Sequence, residues 1–169
     1  MPELFQRVRL EFRLWRTTPD GRTRGWIEQR IINDAGLLAH YVTDGANPLH
    51  TTIHHHGWIG DNPRGFAVDR ELHARFEGKY VQARITLADL VPQIERQPRV
   101  LTAVHSDILE YLKASHTQVE RLYDTDKRAA FGEMTTEPEN KRFTVERLAF
   151  GARMLRDLWW TAWVTSAVG

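Results

Sequence analysis

The sequence predicts an all-α domain, a multi-helix bundle. Apolar residues recur at helical spacing in several long stretches, and nothing after residue 25 alternates convincingly like a strand. The chain has 169 residues, 41% of them hydrophobic and 27% charged, which is the size and balance of one soluble globular domain with a core of its own.

The first element admits two periods. In ELFQRVRLEFRLWR (3–16), Val8, Leu10, Phe12 and Leu14 alternate as in a strand, while Leu4, Phe5, Val8, Phe12 and Trp15 fall on one helical face. TTPDGRT (17–23) is a turn signal. From Trp26 to Thr43 the period is helical, with Ile27, Ile31, Leu38 and Val42 as the stripe. His40 and Asp44 lie off that stripe, four residues apart and so on a common face. Gly45, Asn47 and Pro48 end the helix, and GWIGDNPRG (57–65) is a loop. A helix resumes near Asp69 and passes Glu77, and VPQIERQP (91–98) breaks the chain again. A long helix is expected from about Val100 to Tyr123, its stripe being Leu101, Val104, Ile108, Leu112, Val119 and Leu122. GEMTTEPEN (132–140) is a linker, and a last helix runs from about Thr144 to Ser166. There Trp159, Trp160 and Trp163 join Leu155 and Leu158 and read as core, in preference to membrane docking or base stacking.

The 23 Lys+Arg against 22 Asp+Glu leave a net charge near +1, so no whole-molecule field draws in nucleic acid or acidic lipid. Seven arginines lie in the first thirty residues against four acids, a mild patch that a solvated helix face also explains. The absence of cysteine excludes disulfides and thiolate zinc sites, so any metal is held by His, Asp, Glu or backbone atoms. No apolar run approaches a membrane span, and residues 1–20 lack the apolar stretch of a signal peptide.

Five of the eight histidines fall between His40 and Trp58, in HYVTDGANPLHTTIHHHGW. Two spacings stand out: His40-x3-Asp44-x5-His50, and His73-x3-Glu77 within LHARFE. A helical i, i+4 pair puts both side chains on one face, close enough to grip one cation, and imidazole with carboxylate suits Zn²⁺. The break at Gly45–Pro48 lets the chain turn back and bring His50 into the same space. At least two of His54, His55 and His56 read as solvated loop residues; His54, four after His50, is a possible supporting or substitute ligand. His105 and His116 read as surface or boundary residues of the long helix. Arg64, Arg70 and Arg75 lie near the motifs, either to position phosphate or simply as solvated residues.

HYVTDGANPLH followed by HARFE resembles the zinc-dependent phospholipase C and single-strand nuclease superfamily. Its signature is H-x3-D-x5-H and then H-x3-E in the phospholipases or H-x3-D in the nucleases. Asp44, Asn47, Pro48, Leu49 and His50 stand where that pattern has them, and LWWTAW (158–163) looks like the last helix of bacterial members. The resemblance is strong over about residues 30–82 and loose elsewhere. It implies an all-α fold with up to three zinc ions in a cleft, where a metal-bound hydroxide attacks a phosphodiester. It assigns His40 and Asp44 to a zinc pair, Asp44 bridging, and His50, His73 and Glu77 to the remaining zinc; Asp44 and Glu77 are the expected catalytic carboxylates.

The pattern departs at the front. Members supply further ligands upstream, from an N-terminal Trp, His and Asp, whereas no histidine precedes His40 here. Trp15 and Trp26 are internal, and Asp20 and Asp34 sit in no matching motif. One complete zinc site and half of a pair are therefore expected, in a single helical domain (1–169) read as the C-terminal part of a longer, exported zinc phosphoesterase, or else as a short form with reduced activity. Exposed apolar surface and homo-oligomerisation would accompany a missing segment. Glu77 tilts the substrate toward phospholipid over nucleic acid, and the family implies an extracellular or periplasmic location. The alternatives are a non-catalytic zinc-binding helical module, and a plain helical interaction domain.

Overall fold

The computed structural model describes residues 1–167, and its regular elements are helical, with no strand among the described residues. Helix α1 (Pro2–Thr17) resolves the first ambiguity in favour of the helical face: Phe5 and Val8 are buried, while Leu10 and Leu14 of the strand-like alternation face solvent. The Asp20 side chain accepts from the Thr23 N–H at 2.7 Å and so starts helix α2 (Gly21–Ala46). On α2 the predicted stripe is buried or partly buried, with Leu38 and Val42 fully enclosed.

Beyond α2 the chain makes a 3₁₀ turn (Pro48–Thr51) and a long loop, then a π-helical segment (Ala74–Tyr80) that runs into a single α-turn, α3 (Val81–Arg84). The helix expected around Glu77 is thus wider than an α-helix. Such π segments occur mostly as single turns and often at functional sites. Helix α4 (Leu87–Leu90), closed by a Thr86–Asp89 capping box, and a 3₁₀ turn (Val91–Gln93) lead into an extended stretch.

The single helix expected over 100–123 is two: α5 (Val104–His116) and α6 (Val119–Arg128). Residues 99–101 are not helical because their backbone serves another helix; the Arg99 N–H donates to Asp157 and the Leu101 N–H to Thr161. The break at Thr117–Gln118 divides the stripe between two cores. Ile108 packs in the first, Val119 and Leu122 in the second. The last helix, α7 (Pro138–Thr165), starts six residues earlier than expected, with Pro138 in the first turn where its missing N–H is harmless.

The first core joins α1, α2, α5 and α7 through Phe5, Val8, Leu38, Val42, Ile108, Tyr111, Met154 and Leu158. Tyr111 donates its hydroxyl to the Val42 carbonyl and Ser115 donates to that of Ala46, which fastens α5 to the end of α2. The second core lies under the loop that follows α2. Leu49, Phe66, Leu72, Phe76 and Tyr80 pack there on Val119, Leu122 and Tyr123 of α6, on Phe131, and on Phe143 of α7. Gly57 closes that loop at φ +106°, where a Cβ would lie 2.6 Å from the Val68 carbonyl oxygen.

The aromatic tail departs from expectation. Leu158 is buried and Trp163 packs edge-on to Phe12 beneath the Arg16 guanidinium, but Trp159 and Trp160 remain 39% and 40% exposed. Trp26, Ile32, Leu37 and Tyr41 are also exposed on α2. No helix is long and apolar enough to cross a membrane among the described residues.

Asp157 is fully buried on α7 and accepts from the Arg99 N–H, the Arg99 guanidinium and Arg156. Burial pushes its carboxyl up, but these bonds outweigh it and hold the group below the ordinary carboxylate range. A depressed carboxyl stabilises the fold above its unfolded pKa and loses that contribution as pH falls through the folded one. Asp157→Asn is therefore expected to cost about 2 kcal/mol at neutral pH. Denaturant unfolding at a series of pH values should show the gap between wild type and variant closing below about pH 4.

Candidate metal centre

Three ligand atoms converge at the mouth of the loop. His50 Nε2 lies 3.2 Å from His73 Nε2 and 3.2 Å from Glu77 Oε2, and His73 Nε2 lies 3.0 Å from the same carboxylate oxygen. Each ligand follows a buried apolar residue of the second core: Leu49 before His50, Leu72 before His73, Phe76 before Glu77. The core anchors the backbone at each point, and the next side chain turns outward.

Two further groups orient the triangle. Asn47 is buried, its Oδ1 accepting from the Leu49 N–H at 3.0 Å and its Nδ2 donating to Glu77 Oε2 at 2.9 Å. His73 Nδ1 lies 3.1 Å from the His55 carbonyl oxygen, which only accepts. Nδ1 therefore carries a proton, and Nε2 is the ring nitrogen that faces the triangle. Burial pushes the Glu77 carboxyl up, but hydrogen bonds from His50, the charge and hydrogen bond of His73, and Asn47 hold it below the ordinary range. Glu77 is an acceptor at neutral pH, and a cation in the triangle would take the place of the imidazole protons that otherwise face it. The triangle's edges approach the separation of about 3.3 Å between ligands of a tetrahedral zinc with bonds of about 2.0–2.1 Å. Two imidazoles and one carboxylate also form the three-ligand set of catalytic zinc, with a position left open. The residues fit the ion.

His50, His73 and Glu77 are the one group of three such ligands among the described residues. His40 and Asp44 form a separate pair, Nε2 to Oδ2 at 3.3 Å, outside that triangle. Asp44 nevertheless shares a cleft of about 300 Å³ with Glu77; Asn47, Phe76, Thr144 and Arg147 contribute to its walls. The two upstream aspartates, which sit in no matching motif, are engaged elsewhere. Asp20 caps α2, and Asp34 is buried on Arg7.

The other candidates separate clearly. His54 stacks on Trp58 at 3.9 Å and its Nδ1 accepts from the Ile59 N–H, so it orders the loop and is no substitute ligand. His55 supports the site through its carbonyl alone. His105 is exposed, and His116 ties α5 to the Thr51 carbonyl at 2.8 Å. Arg64 pairs with Glu120 and Asp124, and Arg75 with Asp69 and Asp126, which leaves neither free for phosphate. Arg147 had gone unremarked in the sequence. Its signal was there: on α7 it falls in the stripe Thr144, Arg147, Gly151, Met154, Leu158, whose other members are all buried.

Comparison of the chain with protein-family models, with curated proteins and with solved structures finds no match.

Isothermal titration of the metal-free protein with zinc is expected to give a site that Glu77→Gln abolishes. Asn47→Ala, which leaves all three ligands in place, should weaken it by about 10- to 100-fold. Full zinc affinity in Asn47→Ala would show that the carboxamide does not orient the carboxylate.

Proposed function

We propose that the chain is a zinc-dependent phosphoric diester hydrolase of the phospholipase C and zinc nuclease type. The observation that carries this reading is the convergence of His50 Nε2, His73 Nε2 and Glu77 Oε2 within 3.0–3.2 Å of one another beside an open cleft. It adds to the resemblance of HYVTDGANPLH and HARFE, since the residues that the motif names as one ligand set are neighbours in space.

Zinc held there supplies Lewis acidity and brings the pKa of water toward neutrality, the two requirements for cleaving a phosphodiester near pH 7. His50, His73 and Glu77 bind the ion. Asn47 and the His55 carbonyl fix the Glu77 carboxylate and the His73 ring, so the ligands need little reorganisation. Asp44 opens on the same cleft as Glu77 and, with His40 at 3.3 Å, supplies half of a second ligand set. In this reading Asp44 and Glu77 are the catalytic carboxylates. A location outside the cytoplasm and a phospholipid or nucleic-acid substrate belong to the same family reading.

The test is hydrolysis of bis(p-nitrophenyl) phosphate. The zinc-loaded chain should turn it over above the rate of free zinc, a chelator should remove the activity and zinc restore it. Glu77→Gln should lower kcat/KM at least about a hundredfold, as loss of the bound ion implies. Zinc binding without turnover of this ester or of phospholipid and single-stranded DNA would favour the non-catalytic zinc module.

A further inference from the structure

Arg147 sits in a position that a charged side chain rarely occupies without a partner. It stands on α7 between the buried Thr144 and Gly151, is itself half-buried, and its Nε is enclosed with no hydrogen-bond partner. No carboxylate forms an ion pair with it among the described residues. The neighbouring Glu146 turns instead to Arg121, at 2.7 Å, and Glu139 pairs with Arg121 and Arg142. Its guanidinium rests 4.9 Å from the centre of the Phe150 ring, which holds the side chain in place without neutralising it. Burial weakens its hold on the proton relative to an ordinary arginine, as expected of a cation with too little compensation. An arginine remains charged even so, and a half-buried charge without an ion-pair partner costs the fold stability.

The cleft that Arg147 lines gives that charge a use. Asp44 and Glu77 stand on one side of it and Arg147 on another, with Phe76, Val81 and Leu148 as apolar wall. Its volume of about 300 Å³ is at the small end of ligand sites, enough for a tetrahedral oxyanion with one substituent. Two carboxylates would repel such an anion by themselves. A divalent cation in the His50–His73–Glu77 triangle would cancel the two negative charges of that side and offer an open coordination position, so the cleft would then present a metal on one side and a guanidinium on another.

We propose that Arg147 is the phosphate-positioning residue of this cleft, binding the oxyanion of a phosphoester whose other oxygens face the metal triangle. The proposal rests on the zinc phosphoesterase reading and adds to it a residue outside the histidine motifs. A planar guanidinium suits this task because it presents paired N–H donors to two oxygens of one phosphate, which a lysine cannot match.

Inorganic phosphate is the probe. Calorimetric titration of zinc-loaded wild type should show binding, weakened about 10- to 100-fold in Arg147→Met, with Arg147→Lys between the two. Zinc affinity, measured separately, should be the same in all three, and circular dichroism should show the same helix content. Arg147→Lys keeps the test usable if the methionine variant does not fold. Phosphate affinity that does not depend on Arg147, or no phosphate binding to the zinc-loaded chain, would overturn the proposal. Failure to bind zinc at all would instead remove the metal reading. The same titrations on the metal-free chain would then decide for Arg147, by the same dependence on the guanidinium.

Discussion

Asn47 ends α2, and its buried carboxamide works in two directions. Oδ1 accepts from the Leu49 N–H and so starts the 3₁₀ turn that carries His50, while Nδ2 donates to Glu77 thirty residues further on. The first bond is buried, where an unmade one costs about 1–3 kcal/mol, and the second reaches from a buried carboxamide to a half-exposed carboxylate. One side chain thereby fixes where the first ligand leaves the helix and where the last ligand's carboxylate points. Aspartate in its place would set a second negative charge against Glu77, and leucine would leave both the Leu49 N–H and the carboxylate without this partner.

The two cores give that arrangement a rigid base. The first core bundles α1, α2, α5 and α7, and the second closes the loop after α2 onto α6 and the start of α7. Ser115 and Tyr111 fasten α5 to the end of α2 by donating to its backbone carbonyls, just before the chain passes into the second core at Leu49. Because His50, His73 and Glu77 each follow a residue of the second core, their positions are set by packing density and not by the loop's own preferences. The π-helical segment fits this logic. It widens the helix where Phe76 and Tyr80 reach into the core while His73 and Glu77 keep one outward face.

Much of this was legible in residue spacing. The stripe of α2, the Gly45–Pro48 break and the two His-x3-acid pairs come from local chemistry, and local chemistry decided them. The triangle itself required the chain to fold back, yet the break at Asn47–Pro48 already signalled that it would. What spacing could not show lies in long-range partners. The split of α5 from α6 follows from the existence of two cores, and the extended backbone at 99–101 follows from Asp157 and Thr161 on a distant helix. The reading of Arg64 and Arg75 as phosphate-positioning or solvated residues stays open in the sequence because Glu120, Asp124 and Asp126 are more than forty residues away, although Asp69, the nearer partner of Arg75, is only six. Arg147 is marked in the sequence only by its place in the α7 stripe, and its lack of an ion-pair partner is a property of the folded chain. The spacing of Trp159 and Trp160 from Leu155 and Leu158 points to the core, but spacing does not say how far the covered face of α7 extends.

The most direct measurement is X-ray absorption at the zinc edge on the chain loaded with one equivalent of zinc. The account predicts two imidazole shells and a carboxylate oxygen at about 2.0–2.2 Å, with the imidazole signature lowered in His50→Ala and in His73→Ala. A coordination shell of oxygens without imidazole, or one that neither substitution alters, would contradict it.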